Sequence, residues 1–243
     1  MARPVARKSV VGSKAKRHVR GRFSLRRLVL WGVAAVLFVH LLLAGALFSL
    51  RFVNPPTTGV QLQRRIGSLF AKGSYTKRQT FLPLSRISAD LQHAAIAAED
   101  GRFYEHSGID WKQVRKVAEE SRESGEIARG ASTITQQLVK NLFFTTHRNP
   151  LRKAMEYTVA PMADTILGKQ RTLELYLNVV EWGPGVYGAE AAAQYHFNTT
   201  AARLSRDQAA RLAAILPAPQ RRKPARMNSY SASIQNRMRQ MGW

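Results

Sequence analysis

Glu99 is one of two glutamates in this 243-residue chain that stand where a carboxylate could do acid–base chemistry. It follows the alanine-rich segment 88–98 and precedes Asp100 and a turn at Gly101. A carboxylate at the end of an apolar helix is partly desolvated, which suits a general base near neutral pH. An exposed Glu99, beside a loop in which Asp100 and His106 make hydrogen bonds, fits this stretch equally well.

Glu156 is the second candidate. Arg152 and Lys153 precede it by four and three residues, so a helix places both cations and the carboxylate on one face. An ordinary intrahelical salt bridge is the commoner use of this spacing. Together with Lys140, however, the two cations can hold a diphosphate, and the planar guanidinium of Arg152 suits forked contact with phosphate oxygens.

Residues 130–144 form the element that must position polar groups between the two glutamates. Apolar side chains recur every four residues, at Ile134, Leu138 and Leu142, and predict the buried stripe of a helix. A helix would begin after Gly130 with a capping box. A solvated polar face is the commoner outcome, but the scarcity of acids favours an anion-binding helix start. The polar face comprises Thr133, Gln136, Gln137 and Lys140.

The chain has a formal net charge of +23 and no cysteine, which excludes disulfides and thiolate metal sites. Residues 1–50 contain ten Lys or Arg and no acid, so the remainder carries 28 basic and 15 acidic residues, a net charge of +13. Such a surplus indicates a polyanionic partner: nucleic acid, anionic lipid or a phosphorylated substrate.

Residues 28–50 contain no formally charged side chain and span about 34 Å as a helix, enough to cross a bilayer. The basic cluster 17–27 directly precedes them, so the positive-inside rule keeps the N-terminus cytoplasmic and exports the rest. Residues 44–46 (Ala-Gly-Ala) resemble a signal-peptidase site, but the apolar run exceeds the usual signal length, which favours an uncleaved anchor. An exported basic domain argues against nucleic acid as the partner.

Four regions follow from these patterns: a basic cytoplasmic tail (1–27), a transmembrane anchor (28–50), a juxtamembrane linker (51–80) and a folded domain (81–243). Helical periodicity dominates the last region, and we expect an all-α fold. Pro161 is expected to kink or break the helix predicted over 151–167. The predicted helices of the domain cover residues 88–98, 110 onward, 133–144, 151–167, 172–182, 187–197, 205–216 and 231–241.

Four motifs in unbroken order resemble those of the family 51 peptidoglycan glycosyltransferases. They are Glu99-Asp-x-x-Phe103-x-x-His106-x-Gly108, Gly130-x-Ser-Thr-Ile-Thr-Gln-Gln-x-x-Lys-Asn-x-Phe143, Arg152-Lys-x-x-Glu156, and the block from Leu173 to Ala193. Residues 209–219 are similar to that family too. The domain is too short for a second, penicillin-binding transpeptidase domain, so the resemblance is to the monofunctional, membrane-anchored form.

The resemblance implies a single lysozyme-like α-helical glycosyltransferase domain that polymerises lipid II at the outer face of the cytoplasmic membrane. The growing lipid-linked strand would be the donor, other cell-wall synthases are candidate partners, and nucleic acid is not one. Glu99 would be the general base, and Glu156 would assist departure of the diphosphate, directly or through a divalent cation (Mg²⁺ or Mn²⁺). The residues implied to bind or shape the site for substrate are Asp100, Phe103, His106, Ser132, Thr133, Gln136, Gln137, Lys140, Asn141, Arg152 and Lys153.

The chain departs from the family pattern at a few positions, and two rival functions remain. Asp164 replaces a more usual Glu, and His196 stands where a Tyr is more usual. A lysozyme-like hydrolase would use similar carboxylates but needs no diphosphate clamp. A catalytically idle scaffold would not need both Glu99 and Glu156.

Overall fold

The computed structural model describes residues 25–70, 75–125, 130–147 and 149–243. Most of the tail predicted over 1–27 therefore lies outside the described residues. The chain divides into two compact units, residues 1–39 and 40–243. The first contains, in its described part, only the beginning of helix α1. The second contains all the remaining elements.

Helices dominate the described residues, which confirms the all-α prediction. Three very short strands, β1 (Arg78–Gln79), β2 (Glu181–Gly183) and β3 (Val186–Tyr187), form a small sheet in the order β1-β3-β2. Strand β3 is parallel to β1 and antiparallel to β2. The α-helices are α1 (Leu25–Leu50), α2 (Gly59–Leu69), α3 (Ala89–Glu99), α4 (Trp111–Ser124), α5 (Ile134–Phe143), α6 (Pro150–Val179), α7 (Ala189–Phe197), α8 (Arg206–Ile215) and α9 (Asn228–Gln240).

Helix α1 is the one described helix that is long and apolar enough to cross a membrane, with a mean hydropathy of 2.4. Its last part belongs to the C-terminal unit, where Leu47 is fully buried. The region predicted as a linker contains helix α2, capped by the Thr58 hydroxyl. Helix α2 packs on α5. The segment after the anchor is thus part of the folded unit.

The helix starts around the site follow local capping signals. The side chains of Ser88, Asp110, Thr133 and Ser205 each accept a hydrogen bond from a backbone N–H of the first turn of α3, α4, α5 and α8. Both predicted capping boxes, at Thr133 and Ser205, are present. These caps satisfy backbone donors that the helix itself leaves free.

Helix α6 continues through Pro161, so the predicted break there is wrong. The helical geometry is interrupted instead at Gly168, whose φ is 72°. Glycine adopts this left-handed conformation without a Cβ clash. The two predicted helices 151–167 and 172–182 therefore meet at Gly168, and the second ends at Val179 before strand β2.

Helix α5 is central to the C-terminal unit, where it packs on α6 and α2. The predicted stripe of Ile134, Leu138 and Leu142 is buried. Helix α3 packs on α8 and α9. Burial of the stripe on one side of α5 leaves its opposite side for the polar residues of the site.

Candidate active site

One cleft of about 730 Å³ gathers both glutamates and the predicted cations. The sides come from α2, α5, the start of α6, strand β2 and the segment after α8. Nine of the predicted site residues line the cleft: Glu99, Ser132, Gln136, Gln137, Lys140, Asn141, Arg152, Lys153 and Glu156.

Glu99 lies at the C-terminal end of α3, where its carboxylate faces the cleft and accepts a hydrogen bond from Gln137 Nε2 at 2.7 Å. The Tyr176 hydroxyl donates to Gln137 Oε1 at 3.2 Å and thereby fixes the amide orientation. Burial raises the pKa of Glu99, and the Gln137 hydrogen bond and the charge of Lys140 oppose that rise. A carboxylate with a raised pKa in a cleft suits proton abstraction near neutral pH.

Glu156 is buried and bound by both predicted cations. Its Oε1 pairs with Arg152, and its Oε2 lies 3.3 Å from Lys153 Nζ. Lys153 Nζ also donates to Ser132 Oγ at 3.1 Å, which joins α6 to the segment before α5. These two ion pairs compensate the cost of burying the Glu156 carboxylate.

Lys140 projects from α5 into the same cleft. Burial lowers its pKa, the attraction of Glu156 and Glu99 opposes this, and Arg152 and Lys153 add repulsion. Three cations therefore lie around one buried glutamate. This arrangement attracts an anion more strongly than a single neutralising ion pair would.

The amides of α5 are arranged for contact with a polar ligand. Gln136 is buried, its Oε1 accepts from the Thr133 backbone N–H at 3.1 Å, and its Nε2 has no hydrogen-bond partner among the described residues. Asn141 Nδ2 donates to the Gln137 carbonyl at 2.8 Å. An unpartnered buried amide donor beside a cleft is normally satisfied by ligand or water.

Asp100, Phe103, His106 and Thr133 do not line this cleft. Asp100 accepts hydrogen bonds from His106 Nε2 and from the Ile134 backbone N–H, both at 2.9 Å. Phe103 is fully buried, and the Thr133 hydroxyl donates to the Gly108 carbonyl at 2.6 Å. These contacts hold the loop after α3 against the start of α5. The role predicted for these residues in shaping the pocket around Glu99 stays a prediction.

Sequence reasoning missed several residues of the site because they come from distant parts of the chain. Arg64 of α2 donates to Glu181 Oε2 at 3.1 Å, and Gln220 Nε2 donates to Glu181 Oε1 at 3.1 Å. All three line the cleft. Arg237 of α9 lines a neighbouring cavity of about 370 Å³ that also includes Glu99. The one sequence feature that could have pointed to these residues was Glu181, a carboxylate within an otherwise apolar segment.

The residues that depart from the family pattern lie away from the cleft lining. Asp164 accepts hydrogen bonds from Lys169 Nζ at 2.7 Å and from the Thr135 hydroxyl at 3.3 Å. His196 Nε2 donates to the Trp182 carbonyl at 2.8 Å, and burial lowers its pKa. Neither contacts Glu99 or Glu156.

Comparison with known proteins shows the family of this chain. The sequence model of the family described as Transglycosylase matches residues 65–241. This chain belongs to the transglycosylase family. The match spans α2 to α9 and includes every residue of the cleft except Val60 and Arg64.

Three transglycosylase relatives carry the name biosynthetic peptidoglycan transglycosylase. The protein from Shewanella amazonensis is 45% identical over 226 residues, which cover 91% of this chain and 87% of the relative. That from Pseudomonas entomophila is 40% identical over 90% of this chain and 91% of the relative. That from Bordetella pertussis is 48% identical over 65% of this chain and 69% of the relative.

Proposed function

We propose that this protein is a peptidoglycan glycosyltransferase that polymerises lipid II into linear β-1,4-linked glycan strands and releases undecaprenyl diphosphate, without transpeptidase activity. One observation carries the proposal: Glu99, Lys140 and the cation-bound Glu156 line a single cleft. Membership of the transglycosylase family and the names of its relatives support the same reaction.

Glu99 would act as the base. The 4-hydroxyl of the incoming acceptor sugar attacks the anomeric carbon of the donor and transfers its proton to Glu99. The C–O bond between that carbon and the diphosphate breaks, and the electron pair leaves with the diphosphate, so the α-linked donor becomes a β-linked product. The Gln137 hydrogen bond supports this role because it orients the carboxylate within the cleft.

Lys140, Arg152 and Lys153 would bind the diphosphate. Negative charge develops on the leaving diphosphate in the transition state, so preorganised cations lower the barrier more than they tighten ground-state binding. Glu156 would hold Arg152 and Lys153 in place through its two carboxylate oxygens. Ser132, bound to Lys153, and the amides of α5 would orient sugar and phosphate.

The carboxylates of the cleft, Glu99, Glu156 and Glu181, do not form a ready-made metal site among the described residues. Magnesium held together with a diphosphate needs only one or two protein carboxylates, so the fit depends on which carboxylate oxygens are already engaged. Glu156 uses one oxygen for Arg152 and one for Lys153, and Glu181 is held by Arg64 and Gln220. In this proposal, the cations of the chain itself would compensate the diphosphate charge.

The proposed location of the reaction rests on helix α1 and on the charge of the N-terminal region. A single apolar N-terminal helix fits a single-pass anchor. By the positive-inside rule, the N-terminus would stay in the cytoplasm and the catalytic domain would lie outside the inner membrane, where it could meet other cell-wall synthases. Leu69 and Phe70, at the end of α2, are 77% and 88% exposed and would contact the bilayer surface.

Glu99→Gln tests the assignment of the base. We expect polymerisation of lipid II to fall by at least about 100-fold, because general-base catalysis contributes that much or more. The pKa of Glu99 is raised in the folded state, so ionising its carboxylate at a pH above the ordinary glutamate pKa destabilises the fold. The neutral amide of Glu99→Gln avoids this cost and should not lower the thermal midpoint at pH 7. Glu105→Gln, an exposed glutamate six residues away, is the matched control.

Three outcomes would contradict the proposal. Unchanged turnover in Glu99→Gln would remove Glu99 as the base. Shortened strands from mature peptidoglycan, without polymer from lipid II, would instead identify a hydrolase. A scaffold without activity would show neither product with the wild-type protein.

A further inference from the structure

Another cavity, of about 840 Å³, adjoins the catalytic cleft. The two cavities share the wall formed by Pro219, Gln220 and Arg221, in the segment that follows α8. We call this cavity the α7–α8 groove. Its other principal lining residues are Tyr195, His196, Phe197, Asp207, Arg211, Arg222 and Lys223.

The α7–α8 groove is strongly cationic. It has four basic residues (Arg211, Arg221, Arg222 and Lys223) and one acid, Asp207, so its lining carries 4 − 1 = 3 positive charges. Asp207 is already paired with Arg211 at 2.6 Å. The exposed side chains of Arg221 and Lys223 form no ion pair or hydrogen bond with any described residue. The groove thus complements an anionic ligand.

Aromatic side chains line the other part of the groove. Tyr195 is 49% exposed, and the guanidinium of Arg78 lies over its ring at 5.4 Å. His196 is held by the Trp182 carbonyl, so its position is fixed. Exposed rings beside free cations suit an extended ligand that has apolar and anionic groups, rather than an isolated inorganic anion.

We propose that the α7–α8 groove binds the acidic peptide that the peptidoglycan strand carries, an inference that rests on the proposed function. The sugars of this polymer are uncharged once the lactyl carboxyl is amide-linked to the peptide, so the carboxylates reside on the peptide. The groove shares a wall with the cleft that would hold the sugars. A peptide branching from a bound sugar can therefore reach it without leaving the protein surface.

Lys223 is the position for the test, because it lines the groove but not the catalytic cleft. Lys223→Gln and Lys223→Glu are assayed with lipid II bearing free peptide carboxylates and with lipid II whose peptide carboxylates are amidated. We expect KM for the acidic substrate to rise about threefold in Lys223→Gln and further in Lys223→Glu, the range typical of exposed charge pairs. KM for the amidated substrate and kcat for both should stay near wild type. Arg203→Gln, an exposed arginine outside both cavities, is the matched control.

The possible outcomes separate the groove from the reaction. If wild type polymerises both substrates and neither Lys223 variant changes KM, the peptide does not use the groove. An equal rise in KM for both substrates would indicate that the groove holds the glycan itself and would also overturn the proposal. A wild-type protein that polymerises neither substrate would contradict the proposed function instead.

Discussion

The reactivity of Glu99 depends on two opposing influences on one carboxylate. Burial at the end of α3 raises its pKa, whereas the Gln137 hydrogen bond and the charges of Lys140, Arg222 and Arg237 lower it. The guanidinium carbons of Arg222 and Arg237 lie 5.5 and 5.8 Å from the centre of the Tyr230 ring. A common aromatic support therefore holds two cations that act on the proposed base.

Arg237→Gln tests this electrostatic support. Removing the cation should raise the pKa of Glu99 further, so the base stays protonated to a higher pH. We expect the acidic limb of the pH profile of kcat/KM for lipid II polymerisation to move to higher pH, with the plateau close to wild type. Arg239→Gln, an exposed charge on the same helix, should leave the limb in place. A uniform loss of rate at every pH would mean that Arg237 acts only through packing.

At the scale of elements, helix α5 is held at its start by groups from the loop after α3. The Asp100 carboxylate accepts hydrogen bonds from the backbone N–H of Ile134, the first residue of α5, and from the ring N–H of His106. The hydroxyl of Thr133, which caps α5, donates a hydrogen bond to the Gly108 carbonyl. Gly108 has φ of 81°, and an added Cβ would lie 2.5 Å from the Ala160 carbonyl oxygen of α6. Three elements therefore meet where α5 begins.

Asp100→Ala should lower both stability and activity. It leaves the Ile134 N–H and the His106 ring N–H without their acceptor, and each unsatisfied buried group costs about 1–3 kcal/mol. We expect a lower midpoint in thermal unfolding and a reduced kcat for lipid II, because α5 carries Gln137 and Lys140. Asp90→Ala, at the partly exposed first turn of α3, is the control and should change the midpoint little. Equal midpoints in both variants would contradict the role of Asp100.

Local signals predicted the helix starts, because a cap and its helix are neighbours in sequence. Thr133 and Gln136 made the capping box of α5 readable, and the stripe at Ile134 and Leu138 predicted its buried side. The break predicted at Pro161 is wrong, because α6 tolerates the missing N–H and is interrupted at Gly168 instead. A proline weakens a helix locally, but packing of the surrounding elements decides where it ends.

The contacts that complete the site were beyond sequence reasoning. Arg64 and Glu181 are 117 residues apart, and no local pattern relates them. The motif resemblance brought Glu99, Lys140 and Glu156 together without a structure. It could not show that Asp100 and His106 bond each other behind the cleft, or that Arg237 of the last helix lies near Glu99.

At the scale of the whole molecule, the end of helix α1 is fastened to the catalytic unit rather than joined by a free linker. Arg171 of α6 donates from Nε to the Leu50 carbonyl at 2.9 Å and from Nη2 to the Val53 carbonyl at 3.0 Å. Arg51 donates to the Ile166 carbonyl at 3.3 Å. These bonds give the chain leaving α1 a fixed path across α6.

Arg171→Ala tests whether this attachment matters for catalysis at a membrane. Hydrogen bonds from a charged donor contribute about 1.5–3 kcal/mol, so the variant should unfold several degrees below wild type in detergent. Polymerisation in lipid vesicles should fall more than polymerisation in detergent, because only in a bilayer does the apolar helix before this segment confine the enzyme to the surface where its lipid-linked substrate lies. Arg115→Ala removes an exposed arginine whose one hydrogen bond among the described residues is to the Trp111 carbonyl of its own helix, and it should change neither rate. An equal fall in both media would show that Arg171 stabilises the fold without a role specific to the membrane.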